Sequence, residues 1–258
     1  MILQINNLSV EYYRNKKSVP AVKNLSLGLE SGESLIIVGE SGSGKSTVAF
    51  SILNLIMPYE GRITSGEILF NDITGNTVNL VKLNEQELEK IRGKRISMVF
   101  QDPFSSLNPV LTVGNQLLEI CPDRNKINEY LELVQLTDNF GRIYNSYPHQ
   151  LSGGQRQRIC IAMAIINRPQ ILIADEPTTA LDVTVQKEIL ELLWSLKDKF
   201  NMSIIFITHD LYLSGKGQKI AVMNNGRIVE YGDRNKVINN PGHPYTKSLL
   251  ESVKKYRC

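Results

Sequence analysis

The sequence predicts an α/β fold with a largely parallel central sheet, interrupted by a mostly helical stretch. Three observations predict it. Short apolar runs bounded by turn residues alternate with segments of helical spacing. Two of those runs, Ser34–Val38 and Ile171–Ala174, are apolar nearly throughout, as strands covered on both faces are. From about Pro103 to Gln150 the chain becomes more polar, and helical spacing takes over at Leu117, Leu118, Leu131, Val134 and Leu136.

Taken in order, Ile2–Val10 reads as a strand, and Ser34–Val38 as a second. Ser46–Met57 reads as the helix that follows, stopped by Pro58. Glu67–Phe70 and Ile96–Phe100 read as strands, as do Ile171–Ala174 and Ser203–Ile207. Gly153–Asn167, Val183–Lys197 and Thr246–Lys254 read as helices. Tyr212–Lys219, with Gly215 and Gly217, makes a poor helix.

Composition excludes several classes. With 258 residues, 42% hydrophobic and 21% charged, the chain is ordinary for a globular protein rather than a disordered or fibrous one. A net charge of +3 from 29 basic and 26 acidic residues is too weak to argue for nucleic-acid binding. Cys121, Cys160 and Cys258 form neither a Cys-x-x-Cys pair nor a zinc spacing, which favours a reducing compartment. The N-terminus lacks the charged-then-apolar pattern of a secretory signal, and no apolar run approaches a membrane span.

The chemistry starts at Gly39-Glu40-Ser41-Gly42-Ser43-Gly44-Lys45-Ser46, which fits G-x-x-x-x-G-K-[ST] between an apolar strand and a helix. Glycines let backbone N–H groups turn inward around a phosphate, and the helix N-terminus adds its positive dipole end. Lys45 is placed to reach β/γ-phosphates and the Ser46 hydroxyl to ligate Mg²⁺, with Thr47 next in the helix. A second apolar strand ends in Asp175-Glu176. At the carboxyl end of a parallel strand, Asp175 is suited to hold Mg²⁺, directly or through water, and Glu176 to orient and deprotonate an attacking water. Leu151-Ser152-Gly153-Gly154-Gln155 opens a helix. Its glycines present bare N–H groups, and Ser152 can cap the helix and bond an anion.

LSGGQ, in order with the phosphate loop and the Asp175-Glu176 pair, resembles the signature of the ATP-binding cassette ATPases. The resemblance implies a P-loop NTPase (RecA-like) core with an N-terminal antiparallel β region and a helical subdomain. It makes the chain one cassette domain: core and β subdomain over 1–101 and 151–235, helical subdomain over 102–150, and a C-terminal helical tail over 236–258. It also implies ATP and Mg²⁺ as ligands. In it, Gln101 resembles the Q-loop glutamine, catalytic and metal-ligating, and His209 the switch histidine that contacts the γ-phosphate. Thr179-Ala180-Leu181-Asp182 resembles the D-loop. Tyr12 stands where an aromatic stacks on adenine, with Tyr13 as the alternative. Ser152, Gly153, Gly154 and Gln155 would complete the ATP site of a partner cassette in a head-to-tail dimer.

Gln101–Val113 and Asn240–Leu250 resemble the ATPases of peptide/nickel importers, and Met57-Pro58 followed by Gly61 to Ile68 resembles the first of the two paired ATPases such systems carry. That implies a paralogous second cassette, two permease subunits, an extracytoplasmic substrate-binding protein and a place at the cytoplasmic face of the membrane. The segment after His209 departs from the family. No cysteine cluster follows, so no iron–sulfur centre is expected. A soluble cassette ATPase acting on nucleic acid or ribosomes is the competing reading. The weak charge and the importer-like segments argue against it.

Overall fold

The computed structural model describes residues 1–14, 17–137, 140–179, 181–209 and 216–255, with only the backbone described over 253–255. In chain order, the strands are β1 (Leu3–Arg14), β2 (Lys17–Leu29), β3 (Ser34–Val38), β4 (Gly61–Asn71), β5 (Thr77–Asn79), β6 (Ile96–Val99), β7 (Ile171–Asp175), β8 (Ser203–Thr208), β9 (Lys219–Asn224) and β10 (Arg227–Asp233). The helices are α1 (Lys45–Ile52), α2 (Glu85–Leu88), α3 (Pro103–Ser106), α4 (Val113–Ile120), α5 (Arg124–Leu133), α6 (Phe140–Asn145), α7 (Gly153–Ile165), α8 (Val183–Phe200), α9 (Arg234–Asn239) and α10 (Pro244–Lys255). None of the described helices is long and apolar enough to cross a membrane.

The chain divides into two compact units, Met1–Arg92 with Met202–Cys258, and Gly93–Asn201. In the first, β2, β1, β4 and β5 form an antiparallel sheet in that order. This is the antiparallel region expected, but it is more extensive than the sequence suggested. Its largest addition is β2, whose alternating Leu25, Leu27 and Leu29 are buried. Beside it in the same unit, β3 pairs in parallel with both β8 and β9, and β9 turns antiparallel into β10. The β9–β10 turn is Asn225-Gly226, both at positive φ (48° and 79°), the conformation a tight hairpin requires. Every residue of β3 and β8 is buried, which explains their unbroken apolar runs.

Helix α1 is shorter than the sequence indicated. It ends at Ile52, not at Met57, and Pro58 does not stop it. Asn54 takes a left-handed turn (φ 49°), and the Leu55 amide reaches back to the Phe50 carbonyl at 2.8 Å. This is the termination a glycine usually provides.

In the second unit, β6 and β7 pair in parallel. Between β6 and α7 the described chain holds only helices and loops, which is the helical insertion the fold class anticipated. Helix α8 begins on an Asp182 side-chain cap to the Val185 amide (3.0 Å) and ends at Asn201 with φ 48°. The departing segment after His209 lies largely outside the described residues. Lys219, its last member, opens β9.

Candidate active site

The phosphate loop lies in the first unit. Gly39 is buried at the end of β3, and a Cβ there would stand 2.2 Å from the Met223 carbonyl oxygen. No side chain fits that position. Gly44 sits at φ 102° with the Ala21 carbonyl 2.5 Å from where a Cβ would be, so both its conformation and its space require glycine. Gly42 (φ 78°) and Ser41 are exposed at the loop's outer turn, as is Glu40. The turn closes on itself through the Ser43 amide, which donates to the Glu40 carbonyl at 3.2 Å. Gly44 places no side-chain cap on α1, so the first-turn N–H groups keep no competing side chain.

Lys45 is 5% exposed, a rare place for a lysine. Its Nζ donates to the Gly39 carbonyl at 2.8 Å and to the Glu40 carbonyl at 3.0 Å. The ammonium is thus seated on the loop it follows. Ser46 beside it is half-buried and Thr47 buried. These features suit a polyanion: glycines at two positions closed to a side chain, an uncapped helix start and a fixed ammonium.

Tyr12 is half-buried in β1, in register with Val19 and Gly61. Gly61 makes room for it, since a Cβ there would come within 2.9 Å of the ring. Tyr13 is exposed. His209 follows β8 directly and is exposed, while Asp210 and the residues to 215 lie outside the described set.

The carboxylates lie in the second unit. Asp175 closes β7 and is only 2% exposed. Glu176 follows at φ 42°, a left-handed conformation costing a non-glycine residue roughly 1–3 kcal/mol and recurrent where a side chain must be aimed. Its Oε2 accepts from Gln101 Nε2 at 3.3 Å and from the Thr179 hydroxyl at 2.9 Å. The structure therefore joins Gln101 to Glu176, and adds Thr179. The sequence placed Thr179 only in a D-loop-like run. Its spacing three residues after the carboxylate was the available signal. Ala180 of that run lies outside the described residues. Leu181 and Thr178 are tied by the Gln186 amide, whose Nε2 donates to both carbonyls (3.0 and 3.1 Å).

The signature opens α7 in the same unit. Ser152 is exposed and is its N-cap: its hydroxyl accepts from the Gln155 amide (3.2 Å), and Gln155 Oε1 accepts from the Ser152 amide (3.0 Å). Gly153 and Gly154 are half-buried. Gly154 is required for packing rather than for its backbone angle, because a Cβ there would lie 2.9 Å from Val185 Cγ1. A cavity of about 240 Å³ opens beside this helix start, lined by Ser152, Gly154, Gln155, Arg158, Val185 and Glu188 among others. The helix start is therefore accessible.

After Gln101, Asp102 caps α3 by accepting from the Phe104 amide at 2.8 Å, and that bond holds its carboxyl below its ordinary range. Phe104 is 49% exposed, with the Arg156 guanidinium 5.4 Å over its ring. The loop behind it is pinned by buried Gln116, which bonds the Asn108 amide (2.9 Å) and the Asn108 and Leu111 carbonyls (both 3.1 Å). Of the three cysteines, Cys258 lies outside the described residues. Cys121 and Cys160 are buried and free, and burial pushes the Cys160 thiol up to about 12. Among the described residues no cluster of three or more His, Cys, Asp or Glu could hold a metal on its own.

Comparison with known proteins agrees with this geometry. The ABC transporter family model matches residues 22–179, and the model for the oligopeptide/dipeptide transporter C-terminal region matches residues 229–257. The dipeptide transport ATP-binding protein DppD of Bacillus subtilis is 46% identical over 262 residues, covering 98% of this chain and 76% of that protein. The oligopeptide transport ATP-binding protein OppD of the same organism is 44% identical, covering 98% and 72%. Among solved structures, the dimeric post-hydrolysis state of the ATP-binding cassette MJ0796 bound to ADP and Pi matches with a TM-score of 0.77 at 31% identity, over 90% of this chain and 98% of that one. The cassette cbiO1 from Clostridium perfringens, part of the ABC transporter complex cbiONQ, matches with a TM-score of 0.76 at 25% identity, over 98% and 94%. The fold is that of a P-loop NTPase, and the chain belongs to the ATP-binding cassette family of transporter ATPases.

Proposed function

We propose that this chain is the ATP-hydrolysing subunit of a membrane transporter that imports peptides. The observation that carries the ATPase reading is the buried Lys45 ammonium, seated on the Gly39 and Glu40 carbonyls of a loop in which Gly39 and Gly44 leave no room for a side chain. The relatives' names supply the cargo class: they are dipeptide and oligopeptide transport proteins, which favours peptides over nickel chelates.

In this reading the loop from Gly39 to Thr47 binds the phosphates of ATP and Tyr12 stacks on the adenine. The Ser46 hydroxyl, the Gln101 amide oxygen and the Asp175 carboxylate are hard oxygen donors of the kind Mg²⁺ takes beside phosphate oxygens. Mg²⁺ held by such donors would neutralise charge on the transferred phosphoryl group. Glu176, gripped at Oε2 by Gln101 and Thr179, orients the water and takes its proton. His209 contacts the γ-phosphate. Ser152, Gly153, Gly154 and Gln155 complete the ATP site of a second cassette, a paralogue arranged head to tail. Hydrolysis removes the phosphate that bridges the halves, and the dimer opens. The pinned loop carrying exposed Phe104 passes that motion to the helical subdomain's partners, two permease subunits at the cytoplasmic face. A substrate-binding protein outside the membrane delivers the cargo.

The test is reconstitution of the complete transporter in lipid vesicles with ATP on the cassette side. Labelled dipeptide and tetrapeptide and a nickel–histidine chelate serve as probes. ATP-dependent peptide accumulation is expected. Accumulation of the chelate without peptide, or purification of the chain with RNA rather than permeases, contradicts the reading.

A further inference from the structure

The C-terminal region returns to the phosphate loop. Strand β10 and helices α9 and α10 pack on the strand that feeds the loop: Ile36 and Val38 of β3 share a cluster with Ile220, Val222, Val237, Leu249 and Leu250, with Tyr245 partly buried against it. From that position the Tyr245 hydroxyl accepts a hydrogen bond from the Glu40 backbone N–H at 3.1 Å.

The bond matters because of which peptide it holds. The Glu40 N–H and the Gly39 carbonyl belong to one planar peptide unit and point to opposite sides of it. The Gly39 carbonyl is the closer of the two seats of the Lys45 ammonium, at 2.8 Å. Fixing the N–H end therefore fixes the direction of the carbonyl end.

Tyr245 is itself firmly placed. Its amide donates to His243 Nδ1 at 3.1 Å. The turn before it is clamped on Glu230, whose carboxylate accepts from the Gly242 amide (2.7 Å) and the His243 amide (3.1 Å). Burial also raises the Tyr245 phenol above its ordinary range, so it remains a neutral hydroxyl at physiological pH.

We propose that Tyr245 is a positioning residue for Lys45: by holding the Glu40 N–H it sets the plane of the Gly39–Glu40 peptide, and so seats the ammonium for nucleotide phosphates. The proposal rests on the phosphate-loop reading above. It gives the C-terminal region a role in nucleotide binding.

Tyr245→Phe removes only the hydroxyl. Calorimetric titration of the full chain with Mg-ATP and Mg-ADP should show affinity about three- to tenfold weaker than wild type, the size of one lost hydrogen bond. Tyr231→Phe is the control. It removes a comparable hydroxyl, bonded to the Gly28 carbonyl at 2.9 Å, and should leave both affinities unchanged. A Tyr245→Phe protein that binds like wild type overturns the proposal, and so do equal losses in the two variants, which would mark general loosening. In a Lys45→Ala background, Tyr245→Phe should add little further loss, because its effect runs through the lysine. Full additivity also overturns the proposal. A wild-type chain that fails to bind Mg-ATP overturns the phosphate-loop reading itself.

Discussion

Gln101 Nε2 and Glu176 Oε2 lie 3.3 Å apart, joining the end of strand β6 to the end of strand β7 through their side chains. With the Thr179 hydroxyl 2.9 Å from the same oxygen, two side chains orient the carboxylate. An oriented carboxylate suits the role proposed for Glu176, because it leaves little reorganisation for proton abstraction from a water.

Lys45 supplies the positive charge of the loop. Lys45→Ala should weaken ATP affinity by about ten- to a hundredfold, the size of a lost charge-assisted hydrogen bond to phosphate. Titration with Mg-ATP reads it directly. Unchanged affinity contradicts the assignment of the loop.

Phe104 is half-exposed and its loop is pinned from behind, so removing the ring and its Arg156 contact should cost folding only about 1 kcal/mol. Phe104→Ala should retain nucleotide affinity and uncouple ATP hydrolysis from peptide uptake in reconstituted vesicles. Normal uptake would remove the loop from the coupling role.

Glu230 makes the C-terminal clamp sensitive to acid. Burial pushes its carboxyl up, but the neighbouring Thr246 hydroxyl and the bonds from the Gly242 and His243 amides outweigh it. The net result lies below the ordinary 4.5. The unfolded chain therefore takes up the proton at higher pH than the folded one. The stability from this clamp is complete above about pH 5 and drains as pH falls through the lowered folded value. Thermal melting across that window should show an acid loss that Glu230→Gln flattens. Parallel acid limbs in the two proteins contradict it.

The strands buried on both faces were legible to within one residue, because β3, β7 and β8 carry side chains that only an interior accepts. Strand β2 was not, because its first half, Lys17–Pro20, is exposed and shows no apolar pattern. Its alternating leucines were the signal passed over. Strands β9 and β10 were not read from the sequence, although Asn225-Gly226 between them is a hairpin dipeptide. Helix α1 ended early because an asparagine took a left-handed turn, which no spacing rule reveals. In the site, motif order located the loop, the carboxylates and the signature. The left-handed φ of Glu176 and the Tyr245 contact come from three-dimensional placement, which spacing alone could not have supplied, whereas the Thr179 bond had its three-residue spacing as a signal.

The central claim is that Glu176 is the base of an ATP-hydrolysing site, and Glu176→Gln tests it most directly. Bound nucleotide and phosphate release are measured together on the complete transporter. The variant should bind Mg-ATP as wild type does while phosphate release falls by at least about a hundredfold. Phosphate release at the wild-type rate with ATP bound would contradict the account.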